Sequence, residues 1–360
     1  MLIKLFTHSD VDGLGCVAVA KHHFMDLAVV EWTVCGYGTV DHKVRDYLVD
    51  RFEQYPQPEV VYITDISVNA ETAEMLDRYH KEHANIQLID HHKSALWLNK
   101  YDWAEVTVET EDGKLASGTS LLHAHLKGTL GALVSAGGLH TPPEQNMEAL
   151  DDFAEQVRLY DTWEWDERNL AVPQQLNDLF ALYGFDRFVE RFGKNPEVTF
   201  DGLERSLVKR TEYERNNYIK HKREQVYVTN VRLSHMLPAG AVKVTDELVD
   251  AYGAFADAMG DVDPIFSLGI VMVERFHSEV GNALAKDGID VVMLLDIQRD
   301  TISLRTTRND VMVDALAQLN GGGGHAKSAG APMSEAWLQF YLRKYLEKRS
   351  GVAEMGGRPL

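Results

Sequence analysis

Residues 85–92 read NIQLIDHH, an apolar run that ends in an aspartate and two histidines. Two further segments follow the same pattern, LIKLFTHSD at 2–10 and EVVYITDIS at 59–67. Helical patterns separate these runs, namely DGLGCVAVAKHHF at 12–24 and NAETAEMLDRYHKEH at 69–83. Strands that alternate with helices form parallel sheets with both faces covered. The sequence therefore predicts an α/β fold with a parallel sheet in its N-terminal part.

Polar side chains gather where these predicted strands end. They are His8, Asp10, Asp12, Asp65, Asp90, His91 and His92. A single D-x-D after a strand is usually a solvated turn, but three acidic strand ends on one edge favour a ligand site, because parallel sheets bind ligands beyond the carboxyl ends of their strands. Carboxylates packed this closely repel one another unless a cation neutralises them. We therefore expect a metal site at this edge.

The types of side chain narrow the choice of metal. Mixed carboxylate and imidazole ligands suit Mn²⁺, Fe²⁺ or Zn²⁺ better than Ca²⁺, and the lack of thiolate argues against a structural zinc. The set is large enough for two ions that share an aspartate. Two-metal sites activate water and stabilise both the attacking and the leaving oxygen in phosphoryl hydrolysis.

Composition limits the partners of this protein. The chain has 360 residues with 45% apolar and 25% charged side chains, which suits two globular domains. Its formal net charge is −19, from 36 basic and 55 acidic residues. Since long nucleic acid is held by basic surface, a polyanionic substrate should be short. No apolar run approaches the roughly 18 residues of a membrane span, so we expect a cytoplasmic protein without membrane contact.

The later part of the chain shows a second α/β pattern. We predict a catalytic domain at 1–195, a helical linker at 196–228 and a smaller domain at 229–350. The elements expected in the smaller domain are a strand at 265–273, a helix at 278–287, a hairpin at 290–307 and a helix at 311–319.

A glycine-rich segment, GGGGHAKSAG at 321–330, closes the second pattern. It resembles a P-loop but departs from that motif at Ala326, and a helix rather than a strand precedes it. Four glycines still allow successive N–H groups to surround an anion, although a plain structural turn is the alternative. The candidate substrate-binding residues are Arg305, Arg308, Gly322, Gly323, Gly324, His325 and Lys327. Arg305 suits a bidentate contact with phosphate, and a solvated hairpin arginine is the alternative.

The motifs together resemble the DHH phosphoesterase superfamily, which includes RecJ-type exonucleases, nanoRNases, cyclic-dinucleotide phosphodiesterases and family II pyrophosphatases. The resemblance lies in HSDVDG at 8–13, TDIS at 64–67 and IDHH at 89–92, followed by a lone aspartate. The later ISLRTT and GGGGHAKSAG segments are similar to the DHH-associated substrate-binding domain. The resemblance implies a parallel-sheet DHH domain and a smaller α/β domain joined by a helical linker.

The resemblance also implies roles for single residues. Asp10 and Asp65 would hold one metal ion, and Asp12, His91 and Asp161 the other, with Asp65 bridging the two. Asp161 is assigned through the family pattern alone, because its own sequence context indicates the polar end of a helix.

Two further roles follow from the DHH motif. Asp90 would orient an imidazole, and His92 would stabilise charge at the substrate phosphate, which makes both candidate catalytic residues. Several family members place a histidine four residues before the first aspartate, where this chain has Phe6. We expect His8, two residues before Asp10, to be a metal ligand instead.

Among the branches of the superfamily, the length and the THSDVDGLG opening are most similar to nanoRNases of the NrnB type. That similarity implies exonucleolytic hydrolysis of short single-stranded RNA to 5′-mononucleotides with two divalent ions. Mn²⁺ is favoured over Mg²⁺, Co²⁺ or Fe²⁺.

Other activities stay open at this stage. They are hydrolysis of linear or cyclic dinucleotides, hydrolysis of 3′-phosphoadenosine 5′-phosphate, and non-catalytic nucleotide sensing. A RecJ-like DNA exonuclease would want an added basic domain, and a pyrophosphatase would want a denser basic pocket. Long duplex nucleic acid is not an expected partner, and a homodimer is one option for the assembly.

Overall fold

The computed structural model describes residues 2–25, 27–52, 59–82, 85–135, 144–232, 265–309, 311–318, 321–333, 335 and 338–339. The chain divides into two compact units, Met1–Glu212 and Tyr213–Leu360. The predicted domain limits at 195 and 229 stay a prediction. None of the described helices is long and apolar enough to cross a membrane.

The first unit is built on a five-stranded parallel sheet. Its strands are β1 (Leu2–Thr7), β2 (Val29–Val34), β3 (Glu59–Thr64), β4 (Asn85–Asp90) and β5 (Ala104–Val106). Their spatial order is β2-β1-β3-β4-β5. The predicted parallel α/β sheet is confirmed.

Alternating side chains cover both faces of this sheet, since successive residues of a strand point to opposite sides. In β1, Ile3 and Leu5 enter one core cluster and Phe6 enters another. The first cluster lies against helix α1 (Val11–Phe24), and the second includes residues of α2 (Val40–Phe52) and α3 (Ala70–Lys81). Both faces of the central strands are therefore apolar, which explains why these strands are continuous apolar runs rather than alternating ones.

A helical layer lies on the α1 side of the sheet. It comprises α4 (Gly118–Ser135), α5 (Glu144–Asp161) and α7 (Val172–Lys194), and Val208 in the first half of α8 (Gly202–Gln225) packs into the same core. The short α6 (Glu164–Glu167) follows α5, and a 3₁₀ helix (Lys93–Lys100) follows β4. Helix α1 packs against α4, α5 and α7, and all its residues except Lys21 are buried. Since most of its residues are apolar, this helix needs cover on nearly all sides. The boundary between the two units falls within α8.

The second unit contains a six-stranded mixed sheet. Its elements are β6 (Tyr227–Arg232), β7 (Ile265–Met272), α9 (His277–Lys286), β8 (Val291–Asp296), β9 (Thr301–Arg305), α10 (Val313–Gln318), β10 (Gly323–His325) and β11 (Ser328–Pro332). The strand order is β10-β11-β9-β8-β7-β6, and β7 and β8 form its parallel pair. The predicted hairpin over 290–307 is present as β8 and β9. The glycine-rich segment forms another hairpin, β10 with β11.

Candidate metal centre

The strand order creates a crevice between the carboxyl ends of β1 and β3. The chain leaves β1 towards β2 on one side and leaves β3 towards β4 on the other, so these neighbouring strands separate the two directions. Ligands in open α/β sheets bind at such a switch point. Thr7 and Thr64 are the paired last residues of the two strands, and the Thr64 hydroxyl donates to the Thr7 hydroxyl over 3.1 Å.

The turn after β1 carries the side chains of His8 and Asp10 to this crevice. Asp10 caps helix α1, because its Oδ1 accepts a hydrogen bond of 3.0 Å from the Gly13 backbone N–H. Its other oxygen lies 2.7 Å from His8 Nδ1. A Cβ at Gly13 would lie 2.3 Å from the His8 carbonyl oxygen, so only glycine permits this close approach.

Asp12 is fully buried and held by the N-terminus of α4. Its Oδ2 accepts from the Gly118 N–H at 2.6 Å and its Oδ1 from the Thr119 N–H at 2.9 Å. Helix N-termini stabilise negative charge through these backbone groups. Oδ2 also lies 3.6 Å from His91 Nε2, so Asp12 is fixed in place while facing the crevice.

Asp65 follows β3 in a strained backbone conformation. Its φ of 56° lies in the left-handed region, which non-glycine residues rarely adopt and which often marks a functional site. The residue is 1% exposed, and its Oδ1 lies 3.1 Å from His91 Nε2. Oδ2 lies 4.0 Å from His8 Nδ1 and has no hydrogen-bond partner among the described residues.

The DHH segment, residues 90–92, begins at the end of β4, and its two imidazoles have different surroundings. Asp90 Oδ1 accepts from His92 Nδ1 at 2.7 Å, and Asp90 Oδ2 accepts from the Ser67 hydroxyl. His91 instead lies among the other carboxylates, with Nδ1 at 3.7 Å from Asp161 Oδ2. Asp161 is the last residue of α5, so this helix carries it to the crevice.

Six of the predicted residues form two adjacent groups with the spacing of metal ligands. In each group the donor atoms lie within 4.8 Å of one another, and the groups are His8, Asp10 and Asp65, and Asp12, His91 and Asp161. A further group combines Asp65, Asp90, His91 and His92. Both oxygens of Asp90 already accept hydrogen bonds, so its geometry favours orienting His92 rather than binding an ion.

Electrostatics support a cation at this centre. Burial, and then the charges of Asp12 and Asp10, raise the pKa of Asp65 and the pKa of Asp161 well above the ordinary range. Burial also opposes ionisation of Asp10, but the charge and hydrogen bond of His8 hold its pKa below the usual value. Within the described residues, the buried Oδ2 atoms of Asp65 and Asp161 have no hydrogen-bond partner. Divalent ions would supply both the charge and the contacts.

A known enzyme is related to this chain over most of its length. No family model matches the sequence. Oligoribonuclease NrnB of Bacillus subtilis (strain 168) is 32% identical over 348 residues, which make up 95% of this chain and 75% of NrnB. The chain belongs to the DHH phosphoesterase superfamily. As a DHH phosphoesterase it is a hydrolase of phosphate esters.

Solved structures of other DHH-family proteins are more distant. RecJ of Thermus thermophilus in complex with Mn²⁺ is 15% identical with a TM-score of 0.48, over 97% of this chain and 52% of RecJ. The pGpG-specific phosphodiesterase PggH of Vibrio cholerae is 14% identical with a TM-score of 0.41, over 97% of this chain and 99% of PggH. The family assignment therefore depends on the relationship to NrnB.

Three contacts of this DHH phosphoesterase centre were missed in the sequence. They are the N–H groups of α4 at Asp12, the Ser67 hydroxyl at Asp90, and Tyr37, whose hydroxyl lies 3.1 Å from His92 Nε2. Tyr37 follows β2, the segment VVEWTV, which was not predicted as a strand. Because all strands of a parallel sheet end at one edge, recognising β2 would have placed its following aromatic residue beside the DHH motif.

The predicted arginines of the second unit make internal contacts. Arg305 is 8% exposed, and its guanidinium donates to the Leu304 and Ala329 carbonyl oxygens at 2.8 and 3.3 Å and to the Ser278 hydroxyl at 2.9 Å. Arg308 forms an ion pair with Asp290 over 2.8 Å. Arg305 thus links β9, β11 and α9, whereas Arg308 lies nearer the surface.

The close approach of two strands explains the glycines at 322 and 324, whereas a Cβ at Gly323 would meet no described atom within 4 Å. Gly323, Gly324 and His325 pair with residues of β11 in an antiparallel ladder. A Cβ at Gly322 would lie 2.0 Å from the Gly330 carbonyl oxygen, and Gly324 has a φ of 135°. Of the remaining two predicted residues, Lys327 is exposed and His325 is half-buried.

Proposed function

We propose that this DHH phosphoesterase uses two divalent ions, with Mn²⁺ the preferred metal, to hydrolyse short single-stranded RNA exonucleolytically to 5′-mononucleotides. The observation that carries the proposal is the pair of adjacent ligand groups beside the DHH motif. The relationship to oligoribonuclease NrnB supports the choice of short RNA as the substrate.

Each ligand group combines two carboxylates with one imidazole. We assign His8, Asp10 and Asp65 to one ion and Asp12, His91 and Asp161 to the other. Asp65 faces both groups, since its two oxygens approach His91 and His8 respectively, and this favours a bridging role. Such a mixed set suits Mn²⁺ and is compatible with Mg²⁺, Co²⁺ or Fe²⁺. Two bound ions would provide Lewis-acid stabilisation of phosphoryl charge and an activated water.

The protein's own groups then position the phosphate. Asp90 accepts a hydrogen bond from His92 Nδ1, which sets the orientation of the ring, and Nε2 lies 3.1 Å from the Tyr37 hydroxyl. We assign to His92 the stabilisation of charge on the phosphate that is cleaved. The N–H groups of Gly118 and Thr119 keep Asp12 in place, so the site is held by its surroundings before substrate binds.

The substrate should be short because the protein carries a net charge of −19. Repulsion disfavours a long polyanion, and a short one needs only a few local cationic contacts. In the second unit we propose the arginines Arg305 and Arg308, the segment Gly322–Gly324, and His325 and Lys327 as contributors to substrate binding. Among the proposed cations, Lys327 is exposed, and it is available for direct contact with a phosphate.

A product assay on the full-length protein tests the proposal. RNA of two to five nucleotides, labelled at its 5′ end, is incubated with Mn²⁺ or with EDTA, beside a 24-mer, a DNA trimer, pGpG and 3′-phosphoadenosine 5′-phosphate. We expect Mn²⁺-dependent release of mononucleotides, fastest from the short RNAs. Tight RNA binding without product would instead indicate a nucleotide sensor, and faster cleavage of pGpG or of 3′-phosphoadenosine 5′-phosphate would replace the substrate assignment.

A further inference from the structure

Tyr37 reaches the metal centre from a strand end that the DHH motifs do not include. It lies between β2 and α2, at the same edge of the sheet as the other site residues. Its hydroxyl oxygen is 3.1 Å from His92 Nε2. Its ring centroid lies 6.0 Å from that of His92, edge to face, and 5.6 Å from that of His8. Tyr37 therefore borders both the proposed phosphate contact and one ligand group.

The direction of this hydrogen bond follows from the Asp90 contact. The Asp90 carboxylate accepts from His92 Nδ1 over 2.7 Å, so that nitrogen carries the hydrogen. In a neutral imidazole the other nitrogen is then an acceptor, and the Tyr37 hydroxyl is its donor. The ring of His92 is thus held from both ends, by Asp90 at Nδ1 and by Tyr37 at Nε2.

The solvent exposure of Tyr37 leaves it accessible to a ligand. The residue is 39% exposed, whereas His92 is 7% exposed. Gly36 and Gly38 flank it, and a Cβ at either glycine would meet no described atom within 4 Å. Since the two atoms are 3.1 Å apart, a phosphate oxygen that approaches His92 Nε2 also approaches the Tyr37 hydroxyl.

We propose that Tyr37 is a positioning residue for phosphodiester hydrolysis, whose hydroxyl holds the His92 imidazole in the orientation that meets the substrate phosphate. The inference rests on the proposed function, because it takes His92 as the phosphate contact. A substrate phosphate oxygen is an acceptor, so it bonds to Nε2 when that nitrogen carries a hydrogen, and the Tyr37 hydroxyl oxygen then accepts from the same N–H. A ring that is held at one nitrogen only would sample more orientations, and misplacement of a catalytic group lowers turnover strongly.

Removing the hydroxyl alone separates this role from a packing role. In Tyr37→Phe we expect kcat to fall about tenfold while KM, the affinity for Mn²⁺ and the thermal unfolding midpoint stay unchanged. Tyr213→Phe, at a tyrosine that is 70% exposed in the other unit, is the matched control and should behave as wild type. A wild-type kcat in Tyr37→Phe, with loss only in Tyr37→Ala, would overturn the proposal in favour of the ring.

A double-mutant cycle tests whether Tyr37 acts through His92. In a His92→Gln background, Tyr37→Phe should cause no further loss of kcat, since the two effects belong to one interaction. An equal tenfold loss in both backgrounds would contradict the proposal. The ¹⁵N resonance of His92 Nε2 gives a second readout without substrate, because Tyr37→Phe should shift it and Tyr213→Phe should not.

The same variants are assayed on an RNA dinucleotide and on bis(p-nitrophenyl) phosphate, each with Mn²⁺. If wild type cleaves the second compound but not RNA, the RNA assignment fails while the Tyr37 effect is still measured. If wild type cleaves RNA and Tyr37→Phe does so equally well, the inference about Tyr37 fails and the proposed function stands.

Discussion

In the first unit, Asp65 and Asp161 each keep a buried carboxylate oxygen that has no hydrogen-bond partner among the described residues. In the second unit, the buried guanidinium of Arg305 donates to three oxygens of the protein, and Arg308 pairs with Asp290. Asp65 and the two arginines were predicted as ligand-binding from their residue types, and Asp161 through the family resemblance. The structure places one set around a common crevice and the other largely within internal contacts.

These two sets show how far residue types alone predict a binding site. Clustered carboxylates cannot satisfy one another, because they repel and all accept hydrogen bonds. An external cation is then the simplest source of both charge and contacts. A single arginine, in contrast, can be satisfied by the carbonyl oxygens and hydroxyls that any fold supplies. The carboxylate cluster is therefore the stronger indicator of a ligand.

The largest expected effect comes from the residue between the two ligand groups. Asp65→Asn should lower kcat by roughly a thousandfold or more, because an amide is a poor bridging ligand for two cations. Asparagine tolerates the positive φ at this position, so the fold should be kept. Steady-state kinetics and metal content per chain measure the effect. Asp112→Asn, with a side chain that is 60% exposed, serves as the control. Near-normal turnover in Asp65→Asn would rule out the bridging role.

The next prediction asks why the second unit has a glycine-rich segment. The glycines could be needed for a tight hairpin or for binding an anion. Gly322→Ala brings a Cβ to 2.0 Å from the Gly330 carbonyl oxygen, whereas a Cβ at Gly323 would meet no described atom within 4 Å. We expect Gly322→Ala to lower the free energy of unfolding by about 3 kcal/mol and Gly323→Ala by under about 1 kcal/mol. Urea denaturation measures both. Equal stability in the two variants would mean that the close strand approach is not the reason for the glycines.

The third prediction concerns a buried histidine of the first unit, His23, which is distant in sequence from the DHH motif. His23, at the end of α1, lies 3.0 Å from His123, which contacts Asp151. Burial, and then the nearby charge of His123, lower the pKa of His23 to about 3. The unfolded chain therefore takes up a proton near pH 6.5 while the folded chain does not, so stability is present above this pH and lost below it.

The expected loss from His23 is about 2 kcal/mol in the free energy of unfolding between pH 6.5 and pH 5. His23→Gln should flatten this slope, since an amide does not titrate in this range. His42→Gln, at a histidine with a 77% exposed side chain, should leave the slope as in wild type. Chemical denaturation at several pH values gives the comparison. A slope that His23→Gln leaves unchanged would show that His23 is not the group that titrates.

The smallest effect tests whether Arg308 has a role beyond its ion pair. A partly exposed pair is worth under about 1 kcal/mol, so Arg308→Ala should barely change stability. If Arg308 also binds substrate, KM for RNA should rise severalfold in Arg308→Ala. It should stay at the wild-type value in Asp290→Asn, which removes the partner instead. Equal KM values in both variants would limit Arg308 to its structural contact.

Much of the first unit could be predicted because its signals are local. Apolar runs of six residues with helical patterns between them indicate a parallel sheet, and such a sheet places all its strand ends at one edge. That reasoning predicts that His8, Asp10, Asp65 and the DHH residues lie close together, and their donor atoms do so in the structure. It failed for β2, whose residues are mostly half-buried and give a weaker pattern, and Tyr37 was missed with it.

Short patterns along the chain are enough to predict which types of side chain gather in the first unit and that they gather at strand ends. Which aspartate oxygens find hydrogen-bond partners depends on the folded structure. Asp65 and Asp90 both stand at the carboxyl ends of neighbouring strands, yet Asp90 is satisfied by His92 and Ser67 while Asp65 keeps an oxygen without a hydrogen-bond partner in the described part of the chain. Hydrogen bonds and charge act over a few ångströms. Here they join residues that are far apart in sequence, and packing sets the distances between these residues.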